Sequence, residues 1–401
     1  MSTGTVIIGG SVAGVRAATE LRRLGYEDPL VVLEAQAALP YDRPPLSKGI
    51  LTGKDKAEDI AFHTAEHYAS LGIDVRLSAR AVKLDALGKR VELDDGQALT
   101  ASNIVIASGA QARRFPADRT GGPIHTIREL TDAIELGDAL SRAEQVVVIG
   151  GGFIGAEVAS SARTLGRSVV VIEAAAKPFE ALLGSDVASL LAELHVDAGT
   201  RLRCGTAVDR VAQVGPGQRV HLADGTYEDA DVVVAGLGAA PAVGWLAGTG
   251  LVVDGAVRCD SAGRTAAEGI YAIGDVATWT NARDGAAHRH EHWTSAREQA
   301  DLVAARISGT ATDALPKSVP YVWSDQYGKR IQVLGRPAGA DTVKVVDHDP
   351  QRGSWLALYG RSGILTAVAG CSAAARVMRY RPVLAAGDTS FDDACTAATR
   401  K

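Results

Sequence analysis

The stretch VIIGGSVAG (residues 6–14) returns in altered form as VVVIGGGFIG (residues 146–155), and each copy leads to a further apolar run ending on an acid, VVLE at Glu34 and VVVIE at Glu173. In both, the β-branched residues predict a buried strand, the glycines predict a tight turn that can lie close to phosphate, and the small residues after them predict a helix start with unpaired N–H groups. A carboxylate about twenty residues past the last glycine is placed to accept hydrogen bonds from ribose hydroxyls. One such match is a common strand-to-helix turn, whereas two, each with its acid, predict two bound dinucleotides. The copies differ in the middle: Gly150, Gly152 and Gly155 are in full register, but the first reads Gly9, Ser11, Gly14. A serine there is tolerable if its hydroxyl donates to phosphate.

The 401 residues suffice for two or three domains, and the net charge of −5 gives no global reason to expect nucleic-acid binding. No run of the sequence is long and apolar enough for a membrane span, and the first residues lead into a strand without a signal-peptide pattern, so a cytoplasmic location is expected. Cys204, Cys259, Cys371 and Cys395 are far apart, which leaves no C-x-x-C pair for dithiol exchange and no clustered metal ligands. No metal site is expected; HRHEHW (residues 288–293) reads as a loop bordering a cofactor.

Working outward, strand, turn and helix are expected over residues 5–24, with a second strand over 30–34. Short antiparallel pieces are expected over 72–84 and 91–93, and another buried strand over 103–108. After a linker over 115–123 the order repeats: strand 146–149, helix to 165, strand 169–173, helix 186–194, a strand near Leu202, a hairpin at Asp224-Gly225 and strand 231–235. GIYAIGDVA (residues 269–277) follows the close of the second nucleotide unit, which implies a return to the first. Beyond Pro320, aromatic-rich strands predict a third, α+β unit with a frayed, polar tail over the last fifteen or so residues. The fold class is therefore α/β: two Rossmann-like dinucleotide-binding domains in a glutathione-reductase-like frame, plus a C-terminal α+β domain. The expected boundaries are 1–112 with 242–318, then 113–241, then 319–401.

Further strings run in order along nearly the whole chain: YDRPPLSK (41–48), IASGA (106–110), VVAGLGAAP (233–241), EHWTSA (291–296) and VWSDQYG (322–328). With the two glycine motifs, they make the sequence resemble the oxygenase-coupled, NADH-dependent ferredoxin reductases, the flavoprotein family of putidaredoxin reductase, rubredoxin reductase and the reductase components of aromatic-ring dioxygenases. The resemblance implies that the first unit binds FAD and the second NADH. It implies that Gly9, Ser11 and Gly14 line the FAD pyrophosphate, Glu34 the adenosine ribose and Asp275 the ribityl chain, with Arg43 and Lys48 approaching the flavin and Arg128 a diphosphate. Ala13, Val82, Ala107, Gly109 and Gly274, together with Gly150, Gly152, Phe153, Ile154, Gly155, Glu173, Gly236 and Gly238, complete the expected cofactor contacts. Trp323 and Trp293 are expected against the flavin.

Lys48 and Glu157 are expected to pair near the flavin and act as the catalytic pair. The simpler reading of Glu157 is a carboxylate complementing a helix N-terminus. Glu173 repels a 2′-phosphate and favours NADH, although Lys177 is close enough to soften the choice. The implied acceptor is a small, usually acidic ferredoxin of the two-iron type, serving an oxygenase or cytochrome P450, and Arg289, Arg297, Lys329 and Arg330 are candidates for its docking rim. A monomer or homodimer is expected. A rubredoxin reductase differs only in acceptor, and a flavin redox sensor of the apoptosis-inducing-factor type shares the frame. Disulfide reductases need a cysteine at the flavin, and this chain has none before Cys204.

Overall fold

In the computed structural model, which describes residues 4–281, 285–311 and 319–399, the chain divides into two units. The first comprises Met1–Arg43, Glu58–Gln111 and Ala240–Pro320. Its centre is a parallel sheet with Thr5–Ile8 in the middle, flanked by Leu30–Leu33 and then Ile73–Arg76 on one side, and by Asn103–Ile106 and then Ile270–Ala272 on the other. The middle strand is wholly buried, as expected of a parallel sheet covered on both faces. Helix Val12–Arg23 lies against helix Trp293–Ile307, and both contribute small residues to the core, among them Ala17, Ala18, Ala296 and Ala300. The return of the chain at residues 269–277 thus adds an edge strand and a covering helix to the sheet that opened it. Ile73–Arg76 corrects an expectation: it is a parallel strand of the main sheet, because helix Ala65–Ser70 supplies the crossover that parallel pairing needs.

The second unit comprises Pro44–Ala57, Ala112–Ala239 and Tyr321–Lys401. Its parallel sheet repeats the plan with Gln145–Ile149 central, Ser168–Glu173 and Arg201–Cys204 to one side, and Val232–Ala235 and Ile124–His125 to the other. A five-stranded antiparallel sheet follows, built from Tyr321–Gln326, Lys329–Gly335, Ile364–Cys371, Ser354–Arg361 and Thr342–Asp349. Leu183, Val187 and Leu191 of the nucleotide half bury themselves among Ile331, Trp355 and Tyr359 of that sheet, so the two share one core. The grouping differs from the three-domain reading in two ways: the C-terminal sheet joins the second nucleotide half, and residues 44–57 go with it, tied there by side-chain bonds described below.

The tail is also corrected. Phe391–Thr399 is a helix with Phe391, Ala394 and Cys395 buried, a one-sided apolar spacing that packs on strand Ser354–Arg361, where the missing side chain of Gly360 makes room for the Phe391 ring. No helix among the described residues is long and apolar enough to cross a membrane.

Candidate functional site

The two glycine turns are built alike. Gly9 has φ +111° and Gly150 φ +99°, and a Cβ at either would come within 2.3 or 2.5 Å of a carbonyl oxygen, that of Ala107 or of Gly236. The last glycine of each turn presses on the first: a Cβ at Gly14 would lie 1.9 Å from the Gly9 oxygen, and one at Gly155 2.0 Å from that of Gly150. The acids close the turns in the same way. Glu34 accepts the Gly10 N–H at 2.9 Å and the Gln36 N–H at 2.9 Å, while Glu173 accepts the Gly151 N–H at 2.8 Å and the Ala175 N–H at 2.9 Å. Each oxygen takes one backbone donor and retains a lone pair for a further hydroxyl.

The middle position is the one that protein packing leaves open, since a Cβ at Gly152 would meet nothing within 4 Å. Its counterpart Ser11 therefore fits without strain, and its Oγ accepts from Arg43 Nε at 3.2 Å. Both turns thus present a helix start over a cradle that a phosphate fits.

In the first unit, a 3₁₀ turn at Gly274–Val276 brings Asp275 close to that helix start. Gly274 donates to Gln299 Oε1 at 2.7 Å, and its Cα passes so near helix Val12–Arg23 that a Cβ would sit 3.2 Å from the Ala13 methyl. Two side chains that the sequence did not single out adjoin Trp293: His292 Nδ1 and Ser295 Oγ are buried without a hydrogen-bond partner among the described residues. Burial lowers the His292 pKa, with Asp275 and Glu291 opposing, which favours the neutral ring. Buried polar atoms of this kind demand a partner. Trp293 itself donates Nε1–H to Asp42 at 2.9 Å and carries the Arg297 guanidinium 4.6 Å above its ring. Ala107 is buried beneath the turn, Gly109 has φ +68°, and Val82 lies 43% exposed on strand Ala81–Asp85.

The second unit holds the remaining expected residues. Glu157, 5% exposed, lies in the second turn of helix Phe153–Thr164. Its Oε2 accepts from Lys48 Nζ at 2.7 Å and from Ser47 Oγ, and its Oε1 accepts from Ser324 Oγ at 2.6 Å and from the Asp325 N–H at 3.3 Å. Four donors from two distant segments thus meet one buried carboxylate, which is more than complementing a helix end. Lys48, on a π-helical turn over Leu46–Ile50, donates a second bond to the Pro44 carbonyl at 3.0 Å, which leaves its third N–H without an acceptor among the described residues. Ser161 and Ser160 extend the clasp by donating to the Ser47 carbonyl at 2.6 Å and accepting the Tyr327 N–H at 2.7 Å. Ser47 and Ser324 were not singled out in the sequence, although both fall inside its diagnostic strings.

Arg128 lies one residue before Glu129, the N-cap of helix Leu130–Arg142, and its backbone N–H donates to Asp132 at 2.9 Å. Trp323 stacks on Tyr321 with ring centroids 5.9 Å apart, Phe153 meets Phe179 at 4.9 Å, and Ile154 is 43% exposed at the turn. Gly236 passes so close to the second turn that a Cβ would lie 3.0 Å from Gly155, and Gly238 has φ +80°. All four cysteines are free, and burial pushes their thiols up, Cys259 to about 12, which makes them poor nucleophiles.

Residues 3–300 match the family model for pyridine nucleotide-disulphide oxidoreductases, and residues 321–400 that for the reductase C-terminal domain. The chain belongs to the pyridine nucleotide-disulphide oxidoreductase family. Within it, the chain is 36% identical to the ferredoxin–NAD(+) reductase component of an anthranilate 1,2-dioxygenase system from Burkholderia cepacia, over 95% of this chain and 94% of that one. Among solved structures it superposes on the ferredoxin reductase of the CYP199A2 system from Rhodopseudomonas palustris with a TM-score of 0.92, at 29% identity and 98% coverage of both chains. It superposes equally fully on putidaredoxin reductase in its covalent complex with putidaredoxin, with a TM-score of 0.90, 27% identity and 99% coverage of both.

Proposed function

We propose that this chain is an NADH-dependent, FAD-containing ferredoxin reductase that hands electrons one at a time to a small two-iron ferredoxin serving an oxygenase or a cytochrome P450. When bound, NADH supplies a hydride and FAD converts that pair into single electrons. The protein contributes binding, orientation and charge. Gly9, Ser11, Gly14, Glu34, Arg43 and Asp275 would hold FAD in the discontinuous domain over 1–112 and 242–318. Gly150, Gly152, Gly155 and Glu173 would hold NADH in the domain over 113–241. Arg128, Trp293 and Trp323 would add contacts to FAD, and the domain over 319–401 would complete the acceptor side. The reaction belongs in the cytoplasm, and the molecule works as a monomer or homodimer.

The observation that carries this reading is the buried Lys48–Glu157 pair of the second unit, in a chain that also builds two equivalent glycine turns. Lys48 is positioned by an acid that three further donors immobilise, and its remaining N–H would be offered to a bound ring system. Disulfide exchange has no matching group, because no cysteine precedes Cys204. Stopped-flow mixing with NADH, then with a two-iron ferredoxin, tests the reading: rapid flavin bleaching followed by ferredoxin reduction is expected. A long-lived reduced flavin that passes nothing onward would instead favour the sensor, and selective transfer to rubredoxin would favour the rubredoxin reductase.

A further inference from the structure

Beyond Glu173 the chain carries a lysine whose charge ought to oppose the preference for NADH, and the structure gives it another occupation. Lys177 Nζ donates to Ser185 Oγ at 2.8 Å, Ser189 Oγ at 2.8 Å and the Ser185 carbonyl at 3.4 Å. All three of its N–H groups are thereby committed to neutral oxygens. None goes to Glu173, whose two oxygens hold the Gly151 and Ala175 N–H groups instead. The serines lie one turn apart on helix Ser185–Asp197, with Ser185 its first residue and Ser189 bonding back to the Ser185 carbonyl at 2.9 Å. A helix N-terminus is the positive end of the macrodipole, a poor place for a cation without specific acceptors. The two hydroxyls supply those acceptors, and they pin the far end of a side chain that would otherwise sweep a wide arc.

We infer that Ser185 and Ser189 form a latch which keeps the Lys177 ammonium from a nucleotide 2′-phosphate and so act as specificity-determining residues for the unphosphorylated cofactor. Glu173 repels the phosphate, and the latch withholds the nearby cation that would compensate it. This rests on the second glycine turn being the nicotinamide-nucleotide site. A released lysine could form a charge-assisted bond to the 2′-phosphate, a stronger partner than a neutral hydroxyl.

The test is calorimetric titration of the purified protein with 5′-AMP and with 2′,5′-ADP, which differ at the 2′ position. Wild type is expected to bind 5′-AMP the more tightly. The variant Ser185→Ala with Ser189→Ala should narrow that ratio about fivefold or more, the size of one modest added interaction. Adding Lys177→Ala to it should restore the wild-type ratio, whereas Lys177→Ala alone should leave the ratio unmoved. An unchanged ratio in the double-serine variant, or a large change in Lys177→Ala alone, overturns the latch while 5′-AMP binding keeps the site. If neither nucleotide binds any variant, the nucleotide reading of the second turn fails, and the latch with it.

Discussion

Glu157 is buried and in contact with Lys48, Ser47, Ser324 and the Asp325 backbone, so its replacements separate two effects. Glu157→Ala strands buried donors and should cost about 3–5 kcal/mol of stability, the range for breaking a buried pair from one side. Lys48→Met removes a partner that is 24% exposed and leaves Glu157 three donors, so the fold should survive. The expected result for Lys48→Met is flavin reduction by NADH slowed about tenfold or more, equivalent to ~1.4 kcal/mol of barrier, with 5′-AMP affinity retained. A wild-type reduction rate in stopped flow would remove Lys48 from the mechanism. At this scale the sequence was informative where chemistry is local. The acid at the end of each second strand and the glycine spacing were legible, but the bonds from Ser47 and Ser324 span 110 and 167 positions, and no spacing rule reaches that far.

Elements were legible in proportion to their periodicity. The β-branched strands and small-residue helices of both nucleotide halves were read close to their observed bounds. The C-terminal helix was missed because its buried face consists of Phe391 among small residues, a weak apolar signal that becomes decisive only against Gly360. Phe391→Ala should cost about 3–5 kcal/mol, as other buried phenylalanine truncations do, and lower the urea midpoint; an unchanged midpoint would mean that the helix adds nothing to the fold. Helix Ser185–Asp197 predicts a pH response. His195 is fully buried, with Nδ1 2.8 Å from the Tyr327 hydroxyl, and burial lowers its pKa from 6.5 to about 4. The native state thus keeps the ring neutral where the unfolded chain protonates it. The resulting stability is complete above about pH 6.5 and is lost as pH falls toward 4, an effect on the order of 3 kcal/mol. Burial holds His125 and His292 down in the same sense. Urea unfolding at pH 5 and pH 7 should differ accordingly, and less in His195→Gln; equal differences in both proteins would place the proton uptake elsewhere.

For the whole molecule, a net charge of −5 means that an acidic acceptor must find local cations. The four candidates are not equal. Arg289 is paired with Glu291 and Arg330 with Asp325, whereas Arg297 lies over Trp293 and Lys329 donates to the Arg352 carbonyl, so the last two keep their net charge. Electron transfer to ferredoxin should therefore slow several-fold in Lys329→Glu and little in Arg330→Ala, and it should weaken as salt screens charges beyond roughly 8 Å, while reduction by NADH stays indifferent to salt. A salt-independent second step would argue against a charge-steered partner. By itself the sequence determined two glycine turns with their acids, the order of the halves and the lack of a C-x-x-C pair, because these are set by neighbours along the chain. Tertiary structure decided that residues 44–57 and the C-terminal sheet join the second nucleotide half, that Glu157 is immobilised by serines, and that Lys177 is turned toward a helix end. Those outcomes depend on which distant donors and apolar faces meet once the chain is folded, and burial makes each unsatisfied partner costly enough to fix the choice.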